Sequence, residues 1–199
     1  MNMPYDALSD KMDDVPNEAL LTLFANGDDA AARVLTARLL PRVLGQAVRM
    51  LGERSEADDV AQEALLRLWK IAPQWRQGEA QVSTWLYRVT ANLCTDRLRK
   101  RGRMAPLEAA PEPADETASV AEKMQSRSRA EALSAALAEL PERQREAVVL
   151  RHIEGLGNPE IAGIMDISLE AVESLTARGK RALTAILSGR RDELGFSND

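Results

Sequence analysis

The sequence predicts an all-α chain of two helical domains joined by a flexible acidic linker, and three observations predict it. Hydrophobic residues make up 45% of the 199 residues, mostly Ala, Leu and Val, while aromatics are only 4%, and Ala and Leu are strong helix formers. Apolar residues recur at helical spacing on both sides of the chain's middle. Between them, residues 102–120 (GRMAPLEAAPEPADETASV) hold three prolines among Ala, Glu and Asp, a stretch without the apolar content to bury a core. The expected plan is an acidic disordered tail over 1–15, a domain over 16–101, a linker over 102–124, a second domain over 125–190 and a tail over 191–199.

The first helical pattern begins at Asn17, with Ala19, Leu20, Leu23 and Phe24, and the turn formers Asn26-Gly27-Asp28-Asp29 end it. From Asp29 to Leu51, the residues Val34, Leu35, Leu39, Val43, Ala47 and Leu51 predict a long helix. Pro41 inside it predicts a kink or two shorter helices, and Gly52 closes it. Ser55-Glu56-Ala57-Asp58 reads as the next start, with Ser55 as N-cap and Asp58 in the capping-box position. Val60, Ala64, Leu65, Leu68 and Trp69 follow on one side, and Pro73 ends that helix. Residues 73–82 form a polar loop, after which Ser83 is expected to cap a helix running to about Arg101. Beyond the linker, Ala132, Leu133, Ala136, Leu137 and Leu140 continue the helical pattern, and Pro141 is expected at a helix N1 position.

The formal net charge of -5 alone argues mildly against nucleic-acid binding. The signs are segregated, however: the first thirty residues and residues 108–122 are acid-rich, and Arg97-Leu98-Arg99-Lys100-Arg101-Gly102-Arg103 is basic. One cysteine, Cys94, and one histidine, His152, leave no intrachain disulfide and too few ligands for an ordinary zinc site. A lone reduced cysteine suits the cytosol. The start, MNMPYDALSDKMDD, does not read as a signal peptide, and no apolar run approaches membrane-spanning length. No P-loop or catalytic constellation is found, so no cofactor, membrane or small-molecule substrate is expected, and the chain does not read as an enzyme. Cys94 is expected to be a small buried hydrophobe, and His152 a structural residue packed under the carboxy-terminal helices.

The segment from Asn158 to Leu175 has helix-turn-helix form. Ile161 and Ile164 should face inward, Ala162 should let two helices press together, and Ile167 should plug the core from the turn. Ser168 should cap the second helix, whose inner face is Val172 and Leu175. That helix could lie in a DNA major groove, with Arg178, Lys180, Arg181, Arg190 and Arg191 meeting phosphates. A three- or four-helix bundle that binds protein fits the same spacing, and Glu170 and Glu173 on the outer face are unexpected beside phosphates, although Glu can accept from cytosine.

Two constellations mark the amino-terminal domain. EADDVAQEALLRLW is an amphipathic helix whose acidic-polar face carries Asp59, Gln62 and Glu63, either a solvated face or a dock for a basic partner helix. STWLYRVTANLCTDRLRKR places Leu86, Val89 and Leu93 toward a core and Arg88, Asn92, Asp96 and Arg99 along another face, with Trp75 and Trp85 nearby. Aromatics interleaved with Arg suit single-stranded DNA, whose bases stack on rings and guanidinium groups. The tryptophans equally suit core anchors.

Together these motifs resemble the extracytoplasmic-function (ECF) group of the sigma-70 family, over roughly residues 20–101 and 130–187. EADDVAQEALLRLW resembles region 2.2, STWLYRVTANLCTDRLRKR regions 2.3 and 2.4, LPERQREAVVLRHIEGLGNPEIAGIMDIS the start of region 4, and SLEAVESLTARGKRAL its reading helix. The resemblance implies a cytoplasmic specificity subunit that binds core RNA polymerase at the β′ clamp coiled coil and the β flap, reads promoter DNA, and is commonly held inactive by an anti-sigma factor. It implies polymerase docking by Asp58, Asp59, Gln62, Glu63, Leu66 and Arg67. It implies −10 element recognition and melting by Trp75, Arg76, Trp85, Arg88, Asn92, Asp96, Arg99 and Lys100, with a flipped base captured in the 73–82 loop. It implies −35 recognition by Ser168, Glu170, Ala171, Glu173, Ser174, Ala177, Arg178 and Arg181. Glu173, Leu175 and Ala177 stand where family members often carry basic residues, which implies an unusual −35 sequence or weaker reliance on it. A stand-alone helix-turn-helix regulator and a helical protein-interaction adaptor are the competing readings.

Overall fold

The computed structural model describes residues 12, 14–76, 78, 81–103 and 120–189. Among them the chain forms eight α-helices and no strand: α1 (Asn17–Ala25), α2 (Asp29–Leu51), α3 (Arg54–Ile71), α4 (Val82–Arg103), α5 (Val120–Ala138), α6 (Glu142–Val148), α7 (Asn158–Met165) and α8 (Leu169–Gly189). A 3₁₀ turn, Ala72–Gln74, follows α3, and α6 runs on into a π turn, Val149–Ile153. Residues 1–11, 13, 104–119 and 190–199 lie outside the described residues; within the expected amino-terminal tail, Met12 and Val15 pack partly buried against the first core.

Leucines at helical spacing build the first core. Leu20 and Leu21 from α1, Leu35 and Leu39 from α2, Leu65 and Leu68 from α3 and Leu86 from α4 are all buried in one cluster. Each such side chain contributes about 1.5–3 kcal/mol on leaving water. A second layer, Ala47, Met50, Leu51, Ala57, Val60 and Cys94, continues the core toward the far end of α2. Cys94 is fully buried, and burial pushes its thiol up to about 12. In the carboxy-terminal half, Leu137, Leu140, Val148 and Val149 pack with Ala182, Leu183 and Ile186.

Helix ends follow the sequence in some places and depart from it in others. Asp28 caps α2 by accepting from the Ala30 and Ala31 amides at 2.8 and 3.2 Å. Gly52 closes α2 at φ 74°, a left-handed backbone that favours a residue without Cβ. Pro41 does not divide α2. The proline is exposed, and buried Leu39 and Val43 on either side hold both halves in one helix. Ser55 does not cap α3: the helix starts at Arg54, two residues before the start a Ser55 cap implies, with Glu53 alone between it and Gly52, and the Ser55 hydroxyl donates to the Glu53 carboxylate instead. Ser83 likewise lies inside α4, whose Val82 amide is capped from a distance by the Glu18 carboxylate of α1 at 3.0 Å. Pro141 precedes α6 rather than occupying its first position. His152 is exposed, not packed beneath the helices. The π turn buries Val149 and Leu150 and leaves Arg151 and His152 on the outside.

The two halves touch. Tyr87 and Ala91 of α4 share a buried cluster with Ala147, Leu150, Ile161, Ile164, Met165 and Val172 of the carboxy-terminal half.

Candidate nucleic-acid interface

Helices α3 and α4 lie side by side and leave an open groove of about 440 Å³ between them, lined by Asp59, Gln62, Glu63, Leu66, Arg67, Leu93, Asp96, Arg97 and Lys100. The α3 wall is the expected docking face. Asp58, Asp59, Gln62 and Arg67 are exposed, Glu63 is half-buried, and Leu66 keeps 49% of its surface in water. The charges on this wall are paired along the helix: Arg54 to Asp58 at 3.3 Å and Arg67 to Glu63 at 2.8 Å. Such exposed pairs hold side chains in place while adding only about 0.3–0.5 kcal/mol each.

The α4 wall divides the basic run in two. Arg97 turns back onto α3, donating to the Glu56 carbonyl at 3.1 Å and pairing with Asp59 at 3.4 Å. Arg101, one turn on, donates to the Leu51 carbonyl at 3.0 Å and pairs with Glu53 at 2.7 Å and Glu56 at 2.8 Å. These two arginines fasten α4 to the end of α2 and the start of α3. Arg88, Asn92, Asp96, Arg99 and Lys100 all face solvent. Helical spacing puts Arg88, Asn92, Asp96 and Arg99 on one face and leaves out Arg97 and Arg101, but it does not reveal what those two bind.

At the start of α4 the rings of Trp75 and Trp85 meet edge to face, with centroids 6.1 Å apart and planes at 89°. Both are partly buried against the amino-terminal core, so each is an anchor, close in sequence to exposed Arg76 and Arg88. The middle of the 73–82 loop, expected to hold a flipped base, lies outside the described residues at positions 77, 79 and 80.

The helix-turn-helix forms as the apolar pattern predicts. Ile161, Ile164 and Val172 are buried, while Ala162, Ile167 and Leu175 pack partly buried against them. Asp166 takes a left-handed φ of 52° in the turn, a conformation Asp tolerates better than most residues. The Ser168 hydroxyl caps α8 by accepting from the Ala171 amide at 3.2 Å. Glu170 is fully exposed, and its own backbone amide and the Ser168 hydroxyl hold its carboxyl below the usual range. Its charge therefore sits at the positive end of α8, where an anion stabilises the helix. On the outer side, Glu173, Ala177, Arg178 and Arg181 are exposed, with Ala171 and Ser174 half-buried. The structure adds Leu169, 45% exposed in the first turn of α8 and able to meet a thymine methyl. The inner side of α8 approaches α6 so closely that a Cβ on buried Gly179 would lie 2.6 Å from Val148 Cγ2.

Comparison with known proteins decides what this arrangement is. The sigma-70 region 2 model matches residues 35–104, and the sigma-70 region 4 model matches residues 130–183. The chain is 35% identical over 180 residues to the ECF RNA polymerase sigma factor SigE of Mycolicibacterium smegmatis, an alignment covering 87% of this chain and 69% of the relative. It is 36% identical over 174 residues to the ECF RNA polymerase sigma factor SigM of Mycobacterium tuberculosis, covering 86% of this chain and 84% of that one.

The chain belongs to the ECF RNA polymerase sigma factors.

Among solved structures, this sigma factor shares its fold with CnrH in complex with the cytosolic domain of CnrY, at a TM-score of 0.62 and 25% identity over 87% of this chain and 97% of that one. It also matches the sigma factor RpoE in complex with the anti-sigma factor NepR from Bartonella quintana, at a TM-score of 0.63 and 22% identity over 77% of this chain and 94% of that one. Sigma factors are transcription initiation factors, and the motif segments 56–69 and 83–101 lie within the region 2 match and 140–183 within the region 4 match. Among the described residues no helix is long and apolar enough to cross a membrane.

Proposed function

We propose that this sigma factor binds core RNA polymerase through the α3 wall of the groove and opens promoter DNA along the outward face of α4. The observation that carries the reading is the exposed row Arg88, Asn92, Asp96, Arg99 and Lys100 on a helix whose remaining faces are committed to packing. Cations on that row meet phosphates, and the Trp75–Trp85 edge supports an unstacked base. Extruding that base costs a few kcal/mol, which stacking and groove contacts offset. Upstream, α8 enters the major groove with Leu169, Glu173, Ala177, Arg178 and Arg181 facing the base edges and backbone, and Ser168, Glu170, Ala171 and Ser174 around its first turns. In this reading the first domain (16–101) serves the polymerase and the −10 element, the second (125–190) serves the −35 element, and residues 102–124 link them. The protein works in the cytoplasm, performs no chemical step itself, and is held inactive by an anti-sigma factor, as family membership supports.

In-vitro transcription with core polymerase and a promoter library tests the proposal: transcripts from a defined promoter class should depend on this chain. Asn92→Ala or Arg88→Ala should reduce promoter opening while leaving polymerase affinity unchanged. Asp59→Ala combined with Gln62→Ala should weaken polymerase binding first. Equal loss of both activities in the α4 variants would show that the −10 face is misassigned.

A further inference from the structure

One side chain of α1 serves a different helix. A helix leaves its first amides without partners of its own. In α4 the Trp85 amide donates back to the Gln81 carbonyl at 3.0 Å, so the Val82, Ser83 and Thr84 amides stand ahead of the ladder. The carboxylate of half-buried Glu18 accepts from the Val82 amide at 3.0 Å. A charged acceptor makes the stronger kind of hydrogen bond, and a negative charge suits the positive end of a helix.

Helix α1 also meets both ends of the 73–82 loop. It packs against the Ala72–Gln74 turn before the loop and against α4 after it. Ala72 and Val82 are buried in one cluster with Leu20 and Leu21, and Trp75 and Trp85 pack on that cluster. Arg97 and Arg101 fasten the far end of α4, about 22 Å along the helix from Val82. Apolar packing has no direction and does not by itself set how the first turn is rotated. A hydrogen bond has one, and the Glu18 bond falls on the turn that carries Trp85 and leads into exposed Arg88.

We propose that Glu18 is a positioning residue for promoter opening: its carboxylate seats the first turn of α4 so that the Trp75–Trp85 pair and Arg88 meet the parting strands in register. The inference rests on the promoter-opening role proposed for α4 and adds a residue that lies in neither DNA-facing row. Glu18 acts through the Val82 amide and touches no DNA. Its effect falls on the opening step rather than on polymerase docking, because Asp59, Gln62 and Glu63 stand on α3.

The test is stopped-flow opening of a promoter by the holoenzyme, with 2-aminopurine in place of the −10 base that leaves the stack. Varying the holoenzyme concentration separates the affinity of the first complex from the rate constant of opening. Glu18→Ala should lower that rate constant about tenfold, the order of one charge-assisted hydrogen bond. Affinity for core polymerase and affinity in the first complex should stay at the parent's values. Glu18→Gln keeps an oxygen that accepts from the Val82 amide and should recover most of the rate. In the free protein, the near-ultraviolet circular dichroism of the Trp75–Trp85 pair should weaken in Glu18→Ala and return in Glu18→Gln. Asn17→Ala is the control for a loosened α1: it removes the Arg38 bond to Asn17 Oδ1 at 3.3 Å, leaves Glu18 in place, and should open the promoter at the parent's rate. Parent-rate opening in Glu18→Ala would overturn the assignment. So would a Glu18→Gln variant as slow as Glu18→Ala, an Asn17→Ala variant equally slow, or a matching fall in polymerase affinity. Arg88→Ala separates this inference from the reading beneath it. Slow opening in Arg88→Ala beside parent-rate opening in Glu18→Ala sinks the Glu18 role alone. Parent-rate opening in Arg88→Ala beside slow opening in Glu18→Ala upholds the seat and sinks the outward row of α4.

Discussion

Helices α4 and α8 each carry one of the two proposed DNA-facing surfaces, yet the fold grips them very differently. Helix α4 buries Val82, Leu86, Tyr87, Thr90, Ala91 and Cys94, is fastened by Arg97 and Arg101, and supports the other half of the molecule through Tyr87 and Ala91. Helix α8 buries only Val172 and Gly179 and rests on its neighbours along one side. The difference teaches that α4 can present Arg88, Asn92 and Arg99 at fixed positions because the rest of the helix belongs to the core. The pose of α8 depends instead on a single packed side, where Gly179 meets Val148 and where Leu175, Ala182, Leu183 and Ile186 lie partly buried, and on the cap at Ser168.

The comparison can be broken most forcefully at the buried contacts. Leu86→Ala should remove about 2–5 kcal/mol of stability and disturb both halves, since α4 belongs to both. Gly179→Ala should cost about 1–3 kcal/mol through overpacking against Val148, with damage confined to the carboxy-terminal half. Denaturant titration with a probe in each half would separate the two outcomes, and equal loss in both probes for Gly179→Ala would contradict the contrast. A finer test sets Arg97→Ala against Arg99→Ala. The first should lower stability by about 1 kcal/mol through lost bonds to Glu56 and Asp59. The second should leave stability unchanged and flatten the salt dependence of promoter binding by about one unit of slope.

The smallest expected effect is on pH. Burial holds the Glu154 carboxyl above its ordinary value, against the opposing pull of the Tyr87 hydroxyl, Arg49 and Arg42. The folded chain therefore binds a proton at Glu154 more tightly than the unfolded chain, where the carboxyl titrates ordinarily. That contribution to stability should be full below 4.5 and lost as pH rises through the folded-state value. Burial shifts Glu146 in the same direction, so the Glu154→Gln variant isolates the Glu154 part. Its stability in denaturant titration should vary less with pH than the parent's.

The helical plan was legible because leucines such as Leu20, Leu35, Leu65 and Leu86 repeat at one helical period and all reach one core. The helix-turn-helix was legible for the same reason, with Ser168 in a local capping role that spacing specifies. The ends of α3 and α4 were not, because the expected Ser55 and Ser83 caps are local signals. Here the adjoining Gly52 turn and the distant Glu18 carboxylate fix where those helices begin. Arg97 and Arg99 have the same chemistry two residues apart, and only the position of Glu56 and Asp59 across the groove shows what Arg97 binds. Glu154 and Tyr87 are 67 positions apart in the chain, and no periodic pattern links such a pair.

The carboxylate of Glu18 on the first amide of α4 has a practical corollary for anyone trimming this protein. The short opening helix looks dispensable, since it precedes the stretch recognised as region 2 at residue 35. Yet it supplies Leu20 and Leu21 to the core, and Arg38 holds the chain that leads into it by the Val15 carbonyl at 2.6 Å. A fragment begun at the family boundary would discard the group that seats the tryptophan-bearing end of α4, and would report on the proposed promoter-opening surface set at the wrong angle.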